Sequence, residues 1–353
     1  MNTSDVGFQC PFPFSQYPII TMAHGAGGRL TQQLLEGIFR PAFNNPILQQ
    51  QHDGAMLKLP SERIAVSTDS YVVDPLFFPG GNIGKLAVIG TLNDLAMCGA
   101  KPLYITCGFI LTEGLSSEVL VKVVAHMRQA AIENNIAIVS GDIKVVERTA
   151  SAGLYINTTG IGALPPEYVI APDKIQSGDA IIISGDIGRH GLAVLSQRNN
   201  YQFEPPIESD CAPLWGQVSQ LFNEQLTPHC LRDLTRGGLA GALIELADSA
   251  RLTFEIQEDK IPISQAVHAG CEILGIDPLY VANEGRMIVF CPADVASQTI
   301  ACLRKFSDGA MAECIGHVLP KVNHSPGKVV LKTSFKTSRT LTLFSGEQLP
   351  RIC

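Results

Sequence analysis

Three prolines within eight residues, Pro165, Pro166 and Pro172, break the chain near its middle, and proline ends regular structure when it falls inside a pattern. The same order of elements recurs on either side. Before the break, residues 63–68 (RIAVST) alternate like a strand and run into Asp69, 80–84 (GGNIG) form a loop, and 85–99 read as a buried helix that stops at glycine. After it, 180–183 are strand-like, 185–191 form a glycine loop, and a helix-like stretch starts at Gly191. A strand–loop–helix layout used twice predicts two α/β units. The length of 353 residues agrees, at roughly 150 residues per domain.

The remaining punctuation fills in this frame. Residues 30–39 have helical apolar spacing behind the cluster His24-Gly25-Ala26-Gly27-Gly28-Arg29. Residues 103–111 are rich in β-formers. Val119, Leu120, Val123, Val124 and Met127 share a helix face, with Ser116, Ser117 and Glu118 suited to its start. A short strand over 136–139 leads into Ser140-Gly141-Asp142. Residues 233–238 (DLTRGG) precede a helix through Ala247, and 286–291 form a strand after Asn283-Glu284-Gly285. Late strands are expected over 329–331 and 341–344. The predicted organisation is an N-terminal segment with a glycine-rich loop (1–45), a first domain (46–168), a second (169–345) and a flexible tail (346–353).

Composition narrows the function classes. With 46% hydrophobic and 17% charged residues, the chain is not a disordered one. Its 33 acids outnumber 26 bases, and an acidic protein is repelled by nucleic acid. Residues 321–353 run the other way, with six Lys or Arg against one acid. No base precedes Arg29 and no apolar stretch reaches spanning length uninterrupted, so the expected setting is the cytoplasm, without a membrane. Ten cysteines lack any Cys-x-x-Cys pair, which argues against zinc ribbons, common iron–sulfur sites and a disulfide framework.

Aspartates carry the clearest chemical signal. Asp53, Asp69, Asp94, Asp142 and Asp233 lie at strand ends or in glycine-rich context. Singly, each is an ordinary turn or cap residue. Together they would be costly, since two carboxylates about 4 Å apart repel by roughly 4 kcal/mol at an effective dielectric of 20. A cation removes that cost, and oxygen ligands suit Mg2+, the carrier of nucleotide phosphates. The glycine loops match neither common nucleotide fingerprint. Residues 80–85 have the wrong spacing for a Walker loop, with Leu86 where Ser or Thr is required, and 185–191 are not a Rossmann turn. The sequence ends Leu349-Pro350-Arg351-Ile352-Cys353. An exposed thiol there can be nucleophilic, or it can be an incidental free cysteine. The eight residues from Gly346 reach up to about 27 Å when extended, and glycine and proline discourage their packing into a core.

The strings HGAGGR, STDSYVVDPLFFPGGNIGKLAVIGTLNDLAMCGA, SGDIKVVER, DLTRGG, ANEGR and terminal PRIC resemble the HypE family of hydrogenase maturation proteins, in order and over nearly the whole chain. That family lies within the superfamily of aminoimidazole ribonucleotide synthetase, selenophosphate synthetase and thiamine-monophosphate kinase. The resemblance implies a two-domain α/β (α+β), PurM-like fold whose N-terminal domain contributes to a β-barrel of a homodimer. It implies ATP and Mg2+ near the dimer cleft. Asp53, Asp69, Asp94, Asp142 and Asp233 would be the metal set, and Asn82, Lys85, Asn93, Gly141 and Arg236 would join them against nucleotide. His52 stands before Asp53 where many relatives carry a second acid.

The implied reaction converts a carbamoyl group on the Cys353 sulfur, S–C(=O)–NH₂, into S–C≡N, the source of a cyanide ligand for the Fe centre of [NiFe]-hydrogenase. Phosphorylation turns the amide oxygen into a leaving group. Lys144 would neutralise developing charge, Glu284 would take the amide protons, and Arg351 would seat the tail. The implied partners are the carbamoyltransferase HypF, which loads the thiol, and a HypC–HypD complex, which accepts the cyanide. Two other readings stand beside this one. A selenophosphate synthetase would need a reactive cysteine on a mobile N-terminal loop, where this chain has Cys10. A non-catalytic scaffold would merely dock partners through its tail.

Overall fold

The computed structural model describes residues 10–52, 54–148, 153–165, 169–321, 326–343 and 352. The helix expected over 30–39 is present but bulged: α1 (Arg29–Leu34) passes through a π-helical turn (Leu35–Phe39) into α2 (Arg40–Ala42). The first sheet follows, with β1 (Ile64–Tyr71), a small hairpin of β2 (Phe77–Phe78) and β3 (Gly81–Asn82), α3 (Ile83–Met97), β4 (Lys101–Thr112), α4 (Ser117–Glu133), β5 (Ala137–Val146) and β6 (Leu154–Ala163). Its strand order is β1-β6-β4-β5, and the parallel β4–β5 pair is joined by α4. Ser67 of β1 faces α3, and Phe39, at the end of the π-helical turn, stacks on Phe109 of β4, so these helices share one face. Ile64, Val66 and Ile110 are exposed on the other face.

The second sheet is larger. Its elements are β7 (Ala180–Ile183), α5 (Arg189–Asn199), α6 (Trp215–Asn223), β8 (Cys230–Asp233), α7 (Gly238–Ala250), β9 (Thr253–Gln257), α8 (Gln265–Leu274), β10 (Met287–Cys291), α9 (Ala296–Leu303), β11 (Glu313–Val318), β12 (Lys328–Lys332) and β13 (Ser338–Thr340). The order β13-β12-β9-β11-β7-β10-β8 places β7 and β10 inside, where every residue is buried; their unbroken apolar runs fit strands covered on both faces. Separate apolar clusters pack α7 against one side and α6 with α9 against the other.

Helix α3 joins the two units. Thirteen of its fifteen residues are buried, because it packs on β1 and β6 of its own sheet and on α6 and β8 of the second. Such a helix is apolar all round rather than amphipathic. Asn82 caps it by accepting from the Gly84 and Lys85 N–H groups at 3.0 and 3.1 Å. Gly84 and Gly90 lack the Cβ that would strike the Val123 carbonyl of α4 and the Tyr71 hydroxyl.

Three local expectations are corrected. The strand over 136–139 runs on to Val146, so Asp142 and Lys144 lie within β5 and not in a loop after it. The last strand is β13, because the turn over 333–337 pairs Val330 with Thr340 and leaves 341–343 outside the ladder. Ser116 precedes α4 without a side-chain cap, and the Ser117 hydroxyl donates instead to the Tyr17 carbonyl at 2.7 Å. Gly84→Ala should lower stability by about 2 kcal/mol, since the new methyl forces α3 from α4; the midpoint of urea unfolding reads this, with an unchanged slope.

Candidate active site

Four acids from four segments face one another where the sheets meet. Asp69 comes from β1, Asp94 from α3, Asp233 from the end of β8, and Glu284 from the turn before β10. The Ser67 hydroxyl donates to Asp94 Oδ2 at 2.5 Å. Burial, then the charges of Asp94 and Asp69, push Asp233 up to about 7. Burial foremost, with the Asp69 charge adding, raises Asp94 against the opposing Ser67 bond. Glu284 is raised well above the carboxylate range by burial and by Asp233, Asp210, Asp69 and Asp94. The charges of Arg232 and Arg236 offset this only in part, and that is the condition in which a carboxylate set takes up protons or cations.

The turn holding Glu284 is tightly built. Its own N–H and that of Gly285 donate to Asp210 Oδ2 at 3.2 and 3.0 Å, and any side chain at 285 would strike the Asp210 carbonyl. Asn283 donates to the Leu234 and Val281 carbonyls and accepts from the Gly188 N–H at 2.7 Å. The Arg286 guanidinium is buried and paired with Asp186 at 2.7 Å. Asn93, on α3, crosses the seam: its amide donates to the Ala212 and Glu284 carbonyls, and its oxygen accepts from the Leu214 N–H. With its backbone fixed, Glu284 keeps Oε1 buried and without a hydrogen-bond partner among the described residues. A buried, unmatched acceptor of that kind is free for a substrate proton.

Asp142 and Lys144 stand elsewhere. The register runs Ser70–Asn157–Gly108–Asp142 across four strands, so Asp142 lies three strands from β1, roughly 14 Å by strand spacing, and on the face opposite Asp69. Lys144 Nζ lies 2.6 Å from Asp142 Oδ2, both side chains are mostly exposed, and that hydrogen bond holds the Asp142 carboxyl below its usual range. The expected single cluster of acids is therefore divided within one chain, and among the described residues no three acids, histidines or cysteines form a ready metal site. A cavity of about 870 Å³ opens beside Asp142, lined also by Gly141, His52, Gly54 and Arg40. The glycine-rich loop is adjacent, since Gly25 abuts Val145 so closely that a Cβ would strike it.

Asn82 and Asn93 spend their side chains on the α3 cap and the domain seam. Lys85 Nζ reaches the Gly80 carbonyl at 3.3 Å, and Arg236 is exposed in the turn before α7. Asp53, Arg351 and Cys353 lie outside the described residues, as does the tail over 346–353 apart from Ile352. Ile352 corrects the expectation of an unpacked tail: its side chain is buried, and its carbonyl accepts from His190 at 2.6 Å.

Residues 51–164 match the family "AIR synthase related protein, N-terminal domain" and 176–326 its C-terminal domain. The carbamoyl dehydratase HypE of Azotobacter vinelandii is 45% identical over 95% of this chain and 97% of its own. This chain belongs to the HypE family. A solved HypE in complex with ATP superposes with a TM-score of 0.90 at 45% identity, covering 94% of this chain and 99% of that one. A HypE–HypF complex superposes at 0.76 and 41% identity, covering 88% and 99%. The PurM-like two-domain fold is thereby established for this HypE-family chain.

Sequence reasoning missed His190, Ser209 and Asp210. A selenophosphate synthetase reading is not favoured, because Cys10 is buried beside Phe12 in the core and burial raises its thiol.

The Asp233 carboxyl is raised in the folded state, from an unfolded value of about 3.9 to about 7. The stability it contributes is full below pH 4 and lost as pH rises through 7. Asp233→Asn should therefore stabilise the metal-free protein little at pH 4 and by up to about 4 kcal/mol at pH 8, as read by denaturant unfolding at each pH.

Proposed function

We propose that this chain is an ATP-dependent carbamoyl dehydratase that carries its substrate on Cys353 and converts the S-carbamoyl group to a thiocyanate for [NiFe]-hydrogenase maturation. The observation that carries the reading, beyond family membership, is the seat of Ile352. The residue next to Cys353 is packed against the frame that holds Glu284: Gly188 and Gly191, flanking His190, bond to Asn283 Oδ1 and to the Ala282 carbonyl.

The balance of the step fixes the roles. ATP transfers its terminal phosphoryl to the amide oxygen; the carbon–oxygen bond then breaks, phosphate departs, and the nitrogen gives up both protons as the triple bond forms. Glu284 is the proton acceptor. Its pKa lies above the ordinary carboxylate range, and one oxygen has no competing partner among the described residues. Lys144 offsets charge on the phosphorylated oxygen.

Asp69, Asp94 and Asp233 are oxygen donors of the kind Mg2+ takes and repel one another in the absence of a cation, and with Asp53 and Asp142 they are the residues that would hold it. Bound there, the ion screens phosphate charge. Because Asp142 and Lys144 lie three strands from the other acids, a homodimer formed over the exposed Ile64–Val66–Ile110 face is the arrangement that supplies both halves to one nucleotide. A HypF-type carbamoyltransferase loads Cys353, and a HypC–HypD pair receives the product. No described helix is long and apolar enough to cross a membrane, and the setting we assign is cytoplasmic.

Intact mass of the peptide containing Cys353 tests this. Carbamoyl phosphate with the carbamoyltransferase should add one carbamoyl group, and ATP should then remove one water. Glu284→Gln and Lys144→Ala should each slow the second step by at least about 100-fold without preventing the first; normal dehydration in both would refute their roles. Cys353→Ser should acquire neither mass, whereas a scaffold would keep its function.

A further inference from the structure

His190 is an unusual residue to bury. Its ring is fully inaccessible, lies edge-on to Phe78 at 5.3 Å between centroids, and has both nitrogens engaged: Nδ1 with the Ser209 hydroxyl at 2.8 Å, Nε2 with the Ile352 carbonyl at 2.6 Å. A carbonyl only accepts, so Nε2 carries the proton and Nδ1 accepts from Ser209. Ser209 Oγ in turn accepts from the Cys211 N–H at 3.1 Å. The tautomer is thus set from behind by a chain of bonds that ends on the last peptide group before Cys353.

We propose that His190 is the positioning residue that docks the carrier arm, by donating from Nε2 to the Ile352 carbonyl while the Ile352 side chain fills the apolar seam. Two observations make the seat selective. Ile352 joins a core that includes Phe78, Val194, Cys211 and Ala282, drawn from both domains, so an apolar residue is required there. The carbonyl that is gripped belongs to the peptide bond leading directly to Cys353, so the bond restrains the carrier sulfur through a single residue. His190 also lies in the first turn of α5, where the Gly188 and Gly191 N–H groups are tied to the 281–285 turn, so the dock and Glu284 share one rigid frame. The burial that keeps the imidazole neutral suits it to this single-donor task. His190 touches none of the acids of the site, and its part is to hold the arm.

This proposal rests on the carrier reading of Cys353, and its test separates the two. His190→Asn keeps a group at the Nδ1 position for Ser209 but cannot reach Ile352; His190→Gln restores the reach. In the protein without nucleotide, alkylation of Cys353 by iodoacetamide, followed on its own peptide by mass, should speed up about tenfold in His190→Asn and return toward the native rate in His190→Gln. Starting from carbamoylated protein, dehydration on ATP addition should slow by a similar factor in His190→Asn, with the same rescue. Ile352→Gly, which leaves His190 intact, should match His190→Asn in both measurements. Native rates of alkylation and dehydration in folded His190→Asn, or in Ile352→Gly should the first variant not fold, would overturn the docking role. If the native protein itself shows no loss of water from its carbamoyl group, the dehydratase reading fails, while the alkylation result still decides the dock.

Discussion

A helix buried on every side cannot leave a polar side chain unmet, and α3 carries Thr91, Asn93 and Asp94 in succession along an otherwise apolar interior. Each is answered by a different part of the molecule. Thr91 meets Tyr71 and Thr158 of its own sheet. Asn93 takes three backbone groups of the second domain, and one of them is the Glu284 carbonyl. Asp94 is turned toward β1, where Ser67 meets it, and toward Asp233. The relative placement of the two sheets, and hence of the acids, follows from satisfying those adjacent residues.

The same burial makes the site electrostatically unfavourable. Burial outweighs the Arg232 charge at Asp233, Glu284 is raised by burial and neighbouring acids, and Asp210 also leaves one oxygen unmatched among the described residues. The fold tolerates this because the backbone around them is fully bonded: Asp210 holds two N–H groups of the Glu284 turn, and the Arg286–Asp186 pair closes its far side. Strong backbone support beneath poorly matched side chains is the pattern of a site prepared for a charged ligand.

Much of this was legible in the chain, for physical reasons that differ by residue. Strands β7 and β10 and helix α7 announced themselves by apolar runs between glycine turns, and Asp233 by its place at a strand end. Asp142 was misplaced because Ser140-Gly141 imitates a loop, whereas the pairing with β4 carries the strand through it. Glu284 was visible through family likeness; nothing local distinguishes it from a surface turn acid. Asn93 was named through the same likeness as a nucleotide contact, and its bonds across the seam come from segments more than a hundred residues away. His190 could not be interpreted at all, since its acceptor lies 162 residues away. Local patterns encode elements, while partners across the seam appear only once the chain is folded.

The facing acids are divided evenly between the two layers: Asp69 and Asp94 belong to the first sheet and its helix, Asp233 and Glu284 to the second. Their mutual repulsion therefore acts as a wedge across the seam. Whatever positive charge settles among them removes the wedge and rivets one layer to the other, so that occupancy of the site and stiffness of the whole body become a single linked quantity.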